Sequence, residues 1–453
     1  MNVVNKVARV ILGFEPFILI LATYFMWFPS NYPSEVLVEP VDRVEFIWLI
    51  GLLLPAYCAR YVVERRIWTR TPLDLWFIAF LLLGVINIFV APYPSRGLIM
   101  LARPAIGVAL FIYVVDFTRR VRTVEPVLKT MVILGWIMAI VALTMSQWNP
   151  KSADLQFIID SLPRVTTFVI PGGFNPNEIG GALAWITPLM GGLMFFGWSK
   201  LPGQRVSGWA VGSGVALAFL LLALILGQSR FALIGVLTAL VAICVLVVPR
   251  GAPRVITLAG LTLLILFQVN MTLNIVEFNP ADESQNTVGL SNRDERTVGQ
   301  RFDIWKSALD MVLDYPLTGV GMNRFRYGPV RQAYPVLEFD IPADPNDLSF
   351  QRRLIPHTHN EFVQITTDLG IPGLIVYIGW TLTLLWMIWE IWRKGDENAR
   401  LVIISAGAGI VAHMAYGMGD AITLWDRFAF VYWLMMGIVA AQHRFTIDQL
   451  TAR

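Results

Sequence analysis

The sequence between residues 356 and 373 is Pro356-His-Thr-His-Asn-Glu-Phe-Val-Gln-Ile-Thr-Thr-Asp-Leu-Gly-Ile-Pro-Gly373, and it holds two of the four histidines in the chain. Thr358 and Glu361 have the spacing of a capping box, which predicts a helix that begins at His359. Apolar residues then recur at helical spacing, so this short helix should lie on an apolar surface. Gly370 is suited to end the helix and Pro372 to open the next one.

His359 is the candidate catalytic residue of this stretch. In a first helical turn the positive end of the helix dipole disfavours imidazolium, and the resulting neutral ring can accept a proton. The alternative is that the ring only makes hydrogen bonds within a loop. Residue spacing leaves both interpretations open.

The composition around this stretch is that of a membrane protein. The mean hydropathy is +0.61, and 56% of the 453 residues are apolar while 15% are charged. These values exclude an ordinary soluble globular protein and predict an all-α integral membrane protein. Twelve apolar runs are long enough to cross ~30 Å of hydrocarbon; they lie near residues 10–28, 44–63, 73–91, 98–117, 127–146, 178–198, 208–227, 231–248, 255–276, 371–392, 400–418 and 427–442.

The basic residues predict how these runs are oriented. If the N-terminus is cytoplasmic, nineteen Lys and Arg residues lie in inner segments and six in the short outer loops, which favours two cytoplasmic termini. Residues 277–370 then form a large, partly helical periplasmic loop between spans nine and ten. We treat 1–453 as one membrane domain in which this loop carries the catalytic residues. A helix from Gly299 is expected within it, with an apolar stripe of Phe302, Trp305, Leu309 and Val312.

Arginines near the outer membrane boundary are candidate anion ligands. Arg230 follows a very short turn, where Ser229 can cap the next span and leave free backbone N–H groups beside the guanidinium. Arg301 lies beside the stripe of the predicted loop helix, and Arg103 lies inside the fourth span. For all three arginines the alternative is a topological charge that reaches the membrane surface.

The sequence gives little support for metal or nucleotide chemistry. His357 and His359 would point apart on a helix, and Glu338 with Asp340 is the only close acidic pair in the vicinity. We therefore expect neither a metal nor another cofactor. A phosphate-binding glycine loop of the Walker type is also missing from the sequence, and no nucleic acid partner is expected.

Separate segments of the chain resemble the O-antigen ligase and polymerase family of bacterial envelope glycosyltransferases. The matching pieces are Phe174-Asn-Pro-Asn177, Gln228-Ser-Arg230, Gln300-Arg-Phe-Asp-Ile-Trp305, Asp314-Tyr-Pro-Leu-Thr-Gly319-Val-Gly321 and His357-Thr-His-Asn360 with Leu369-Gly-Ile-Pro-Gly373. Each piece is weak alone, but their order and the topology make the combination fairly specific. The resemblance implies a C-type glycosyltransferase fold in the bacterial inner membrane, with the active site at the periplasmic face.

The resemblance also implies a donor glycan on undecaprenyl pyrophosphate. His359 would match the catalytic histidine of the family, and Arg230 and Arg301 the two arginines associated with pyrophosphate. Asn360, Asn177 and Arg103 complete the candidate substrate-binding set. Direct displacement would invert the anomeric configuration, without a metal.

The acceptor stays open between lipid A-core, which would make the protein an O-antigen ligase, and a growing glycan, which would make it a polymerase; a large outer loop slightly favours the ligase. A polysaccharide flippase is the alternative from another class, but it would place charges near the middle of several spans and show two related halves.

Overall fold

A computed structural model describes residues 3–26, 44–92, 97–148, 155–165, 173–194, 208–274, 298–336, 357–421 and 427–451 of the chain. Within these residues the regular secondary structure is helical. The helices are α1 Val3–Met26, α2 Val44–Glu64, α3 Asp74–Val90, α4 Gly97–Val121, α5 Glu125–Met145, α6 Gln156–Ser161, α7 Pro176–Gly192, α8 Gly208–Gly227, α9 Arg230–Val247, α10 Ala252–Asn274, α11 Val298–Asp314, α12 Gly328–Ala333, α13 Glu361–Lys394, α14 Glu397–Gly417 and α15 Ala429–Thr451.

The helices confirm the all-α membrane class. In the described residues, a helix overlaps each of the twelve predicted apolar runs. In the part of the chain that the structure describes, six helices are long and apolar enough to cross a membrane, namely α4, α5, α8, α9, α13 and α14. Two shorter apolar stretches add to this set, namely α3 and the part of α10 from Ala252 to Phe267. The chain is therefore a multi-pass membrane protein.

The centre of the bundle packs large aromatic rings against small residues. Trp185, Trp380 and Trp433 are fully buried. Gly409 of α14 approaches α7 so closely that a Cβ atom there would stand 2.4 Å from the Trp185 carbonyl oxygen. Small residues allow such close approach, and van der Waals contact is what holds helices together in a membrane. This packing fixes α14, whose C-terminal end leads into the candidate site.

Gly370 divides α13 into a short first part and a long second part. Its φ is +70°, and a Cβ atom there would meet the Pro316 carbonyl oxygen at 2.6 Å, so only glycine fits. The Ile371 amide donates to the same oxygen over 2.8 Å. These features confirm the predicted break at Gly370, with Pro372 in the first turn of the part that follows.

Two predictions about helix details are wrong. α13 begins at Glu361 instead of His359, and its N-cap is Asn360, whose side chain accepts the Val363 amide. Thr358 is not the cap, because its hydroxyl donates to the Asn360 carbonyl instead.

The predicted loop helix exists as α11, but its buried face is not the predicted stripe. Ile304, Ala308 and Met311 are buried, whereas Phe302 and Leu309 are exposed in the described structure. The stripe was correctly recognised as helical, and the sequence did not indicate which face of the helix would be buried.

Candidate functional site

Two histidines and one aspartate meet at one end of the bundle. Nε2 of His357 and Nδ1 of His359 each lie 3.4 Å from Oδ1 of Asp420. The two imidazole rings are 4.3 Å apart between centroids. The aspartate comes from the segment after α14, so the cluster joins parts of the chain that are distant in sequence. A carboxylate beside an imidazole is the arrangement that orients a general base and stabilises its protonated form.

The turn that carries both histidines is held by buried hydrogen bonds. The indole N–H of Trp305, on α11, donates to the Thr358 carbonyl over 2.9 Å. The Thr358 amide donates to the side-chain oxygen of Gln364 over 2.9 Å. Both the amide and the carbonyl of Thr358 are therefore hydrogen-bonded. The next residue, His359, has a left-handed conformation with φ of +52°. A non-glycine residue in this conformation is uncommon and is typical of functional turns.

The position of His359 corrects the sequence interpretation. The residue precedes the N-cap and does not lie in the first helical turn, so the helix dipole argument does not apply to it in the expected form. Its amide instead donates to Nδ1 of His357 over 3.2 Å. In neutral His357 the remaining N–H is therefore on Nε2, which faces Asp420.

Asp420 is held from several sides. Its Oδ1 accepts the Ala421 amide, and the Tyr416 hydroxyl lies 2.9 Å from its Oδ2. Burial alone would raise the pKa of Asp420, but the facing His357 and His359 rings and the Ala421 N–H hold the pKa below its usual range. Burial and the adjacent His359 ring lower the pKa of His357 to about 3. The cluster at neutral pH therefore combines a carboxylate with a neutral His357 ring.

Asn360 connects the histidine turn to the segment that carries Asp420. Its side-chain oxygen caps α13, and its side-chain NH₂ donates to the Met418 carbonyl over 3.1 Å. The residue is buried. Both functional groups of the side chain are thus used within the protein, in bonds that fix the distance between the histidines and the aspartate.

Arg301 and Arg230 lie beside this cluster. The Arg301 guanidinium is 4.4 Å from the ring centroid of Phe231, the residue that follows Arg230 at the start of α9. Burial lowers the pKa of Arg301, and repulsion from Arg230 adds to this, while Asp420 and Tyr416 act in the opposite direction. Two guanidinium groups within electrostatic range of each other form a positive site that suits an anionic group. Ser229 occupies the N-cap position of α9, but its hydroxyl makes no capping bond there, so the predicted cap is wrong.

The remaining candidates contribute differently. Asn177, in the first turn of α7, offers its backbone carbonyl 3.0 Å from the Tyr416 hydroxyl, so it supports the residue that holds Asp420. Arg103 is buried in α4, so its side chain is enclosed by other parts of the protein. One turn earlier, Met100 accepts a hydrogen bond from Asn323 of the loop region.

Asp420, Tyr416 and Arg326 were missed by sequence reasoning. Asp420 follows Gly417-Met-Gly in a turn after an apolar run, and its place on the outer side follows from the predicted topology. That placement was the available signal, since Asp420 then shares a membrane face with His359. Arg326 is close enough to His357 to contribute to its lowered pKa, although its sequence context is that of an ordinary loop.

The two histidines and Asp420 also form the one group in the described ranges that is suited to hold a metal ion. The possible ligand atoms of His357, His359 and Asp420 all lie within 4.8 Å of one another. The sequence spacing gave no indication of this set, because its carboxylate comes from another segment. Glu338 and Asp340, the acidic pair considered from the sequence, lie outside the described residues.

Comparison with protein families gives one match. Residues 215–378 match the family model described as O-antigen ligase, while a comparison with curated proteins found no relative. The matched segment contains Arg230, Arg301, His359 and Asn360; Asp420 and Asn177 lie outside it. The match supports a role in glycan transfer of the ligase or polymerase type. Residues 215–378 therefore form a segment that is similar to the O-antigen ligase family.

Proposed function

We propose that the protein transfers a glycan from undecaprenyl pyrophosphate to an acceptor hydroxyl at the periplasmic face of the bacterial inner membrane. The acceptor favoured is lipid A-core, which makes the reaction O-antigen ligation. The observation that carries the proposal is the contact of His359 with Asp420 beside two arginines, Arg230 and Arg301. One half of this arrangement suits a base and the other half suits a pyrophosphate.

His359 is the general base of this proposal. A sugar hydroxyl is a poor nucleophile until a positioned group takes its proton in the transition state. With Nδ1 of His359 directed to Asp420, Nε2 is left to accept the proton of the acceptor hydroxyl. The Asp420 carboxylate then stabilises the imidazolium that forms, and His357 and Tyr416 keep the carboxylate in place.

Arg230 and Arg301 act on the leaving group. The acceptor oxygen forms its bond to the anomeric carbon as the bond from that carbon to the pyrophosphate oxygen breaks, and negative charge accumulates on the pyrophosphate. Guanidinium groups donate paired hydrogen bonds to phosphate oxygens and stabilise this charge. A single displacement from the opposite side inverts the anomeric centre. Asn360 and Asn177 are assigned to positioning, and Arg103 is retained as a more distant candidate ligand.

The location of the reaction depends on the topology with twelve spans and cytoplasmic termini. This topology puts residues 277–370 in the periplasm, where the donor glycan is presented. We expect a reporter fused at Asn286 to give a periplasmic signal and a reporter at the C-terminus a cytoplasmic one. A cytoplasmic signal from Asn286 would contradict the proposed function, because donor and site would then lie on opposite sides.

The glycans of a deletion strain distinguish the possible acceptors. Loss of a ligase should leave bare lipid A-core and long glycan on its lipid carrier. Loss of a polymerase should leave single repeat units attached to the core, and this outcome would move the assignment to the second candidate of the same family. Loss of a flippase should instead leave undecaprenyl-linked units that stay accessible only from the cytoplasm.

The arginines should affect donor binding as well as transfer. Arg230→Ala and Arg301→Ala each remove charge-assisted hydrogen bonds worth about 1.5–3 kcal/mol, which corresponds to roughly 10- to 150-fold in transfer. Part of this loss should appear as weaker binding of the lipid-linked donor. Lysine at either position should restore only part of the activity, because it lacks the planar fork of a guanidinium.

The matched control for these variants is Arg444→Ala. Arg444 lies on α15 in an exposed pair with Asp448, at the end of the bundle that the topology places in the cytoplasm. Such a pair contributes about 0–1 kcal/mol, so its loss should leave donor binding unchanged. Unaltered donor binding in both Arg230→Ala and Arg301→Ala would show that the two arginines do not hold the pyrophosphate.

Activity is expected to persist without divalent metal, because arginines occupy the place of a cation that would neutralise pyrophosphate. The test is transfer by purified protein in excess chelator, with and without added magnesium or manganese. Loss of transfer that either ion restores would instead assign His357, His359 and Asp420 as metal ligands.

A further inference from the structure

Helix α11 has three different faces. At 3.6 residues per turn, positions 302, 309 and 313 fall within about 40° of one another. These positions are Phe302, Leu309 and Leu313, which are 60%, 55% and 67% exposed in the described structure. The face buried against the loop region is a different one, formed by Ile304, Ala308 and Met311. The helix therefore has a second apolar face besides the one that packs in the protein.

The third face of α11 is acidic. Asp303, Asp310 and Asp314 also fall within about 40° of one another, roughly 100° from the exposed apolar face. Lys306 is exposed and lies at the border between the apolar and the acidic faces. An apolar face beside a charged face fits a helix at a boundary between hydrocarbon and water, and a lysine at the border can extend its charged end to the water.

Both ends of α11 are attached to ends of apolar helices. Near its N-terminus, Arg301 packs on Phe231 in the first turn of α9. Just after its C-terminus, the Pro316 carbonyl accepts the amide of Ile371, where the long part of α13 begins. α11 has 17 residues, which corresponds to a length of about 25 Å. A helix fixed at both ends to the ends of spans lies along the membrane surface and not across it.

Asn87 of α3 fixes the C-terminal end of α11 relative to the ends of the apolar helices. Its side-chain NH₂ donates to the carbonyls of Thr318 and Asp368, and its side-chain oxygen accepts the Met322 amide. Asn87 lies in the last turn of α3, which ends at Val90. The turn after α11 is therefore at the level where apolar helices end.

The exposed apolar face of α11 continues into the lipid-facing surface of the bundle. Leu317 follows the helix and is 72% exposed, and Ile375 on the long part of α13 is 59% exposed. Ile371, between them in space through the Pro316 contact, is also exposed. Because this apolar surface is continuous from α11 to a membrane-spanning segment, lipid fits the whole of it.

We infer that α11 is an interfacial helix whose Phe302, Leu309 and Leu313 side chains lie among the acyl chains of the adjoining membrane leaflet. The partner is the lipid surface itself. The acidic face then points to water and Lys306 extends to the headgroups. This embedding fixes the height of Arg301, which is on the same helix, relative to the membrane. The inference concerns the position of α11 and holds whether or not the protein transfers glycan.

The test measures which quencher reaches each face. In a full-length background with Cys58→Ser and Cys244→Ala, single cysteines are introduced as Leu309→Cys and Asp310→Cys, labelled with bimane and placed in phospholipid nanodiscs. Brominated phospholipid should quench the label at position 309 several-fold more than the label at 310. Aqueous iodide should show the opposite order.

Two reference positions calibrate the signals. Ile375→Cys reports a lipid-facing site, and Gln332→Cys reports an exposed site on α12. The inference requires position 309 to behave like 375 and position 310 like 332. If brominated lipid fails to quench position 309, the face is covered by protein or by water and the inference is wrong. Iodide distinguishes these two cases, because it quenches only a label in contact with water.

Discussion

His359→Ala is expected to keep the binding of the lipid-linked donor and to lower single-turnover transfer by ~10²–10⁴, the usual range for loss of a general base. The expectation follows from the separation of the two halves of the proposed site. His359 contacts Asp420, whereas Arg230 and Arg301 are assigned to the pyrophosphate. The measurement is donor binding alongside single-turnover transfer, for protein that is first checked for normal insertion in the membrane.

His357→Gln is the matched control for this prediction. His357 faces the same carboxylate, but its Nδ1 is occupied by the His359 amide, so it is not free to act as the base. Replacing His357 should lower the rate of single-turnover transfer less than replacing His359. A His359→Ala variant with nearly wild-type transfer would mean that His359 is structural, which is the alternative that residue spacing left open. A larger loss in His357→Gln than in His359→Ala would assign the base to His357.

The helices were predictable because a membrane imposes their length and composition. Each apolar run must satisfy its own backbone hydrogen bonds in hydrocarbon, which requires a helix of nearly fixed length. The break at Gly370 was also predictable, since it depends on local chemistry between a helix end and Pro372. Features that depend on one segment alone were therefore recovered from the sequence.

Contacts between segments were not predictable in the same way. The capping box at Thr358 was wrong because Trp305 and Gln364 bind the backbone of that residue, and Asn360 is left to cap the helix. The buried face of α11 was not predicted, because lipid-facing and core-facing stripes are both apolar in a membrane protein. Periodicity detects the stripe but not its partner. Asp420 was missed for the related reason that its partners come from another segment.

Asp420→Asn provides the last test, because it removes a charge while nearly preserving the shape of the side chain. Asparagine can still accept the Ala421 amide with its Oδ1, and its NH₂ can donate to the Tyr416 hydroxyl if that hydroxyl donates to the Asn177 carbonyl, so the fold of the turn should persist. It cannot stabilise an imidazolium, and transfer should fall by roughly 10²–10⁴, the scale on which carboxylates that orient a catalytic imidazole act. Donor affinity should not fall, because Arg301 loses a neighbouring carboxylate and keeps its positive charge.

The double variant with His359→Ala shows whether Asp420 acts through the histidine. Residues that work as one unit have strongly non-additive effects on rate. If Asp420 only orients and stabilises His359, replacing it in the His359→Ala background should lower the transfer rate little further. If the two losses instead multiply, Asp420 acts independently of His359. Its contact with the His359 ring would then be structural, and the carboxylate itself would be the next candidate for the base.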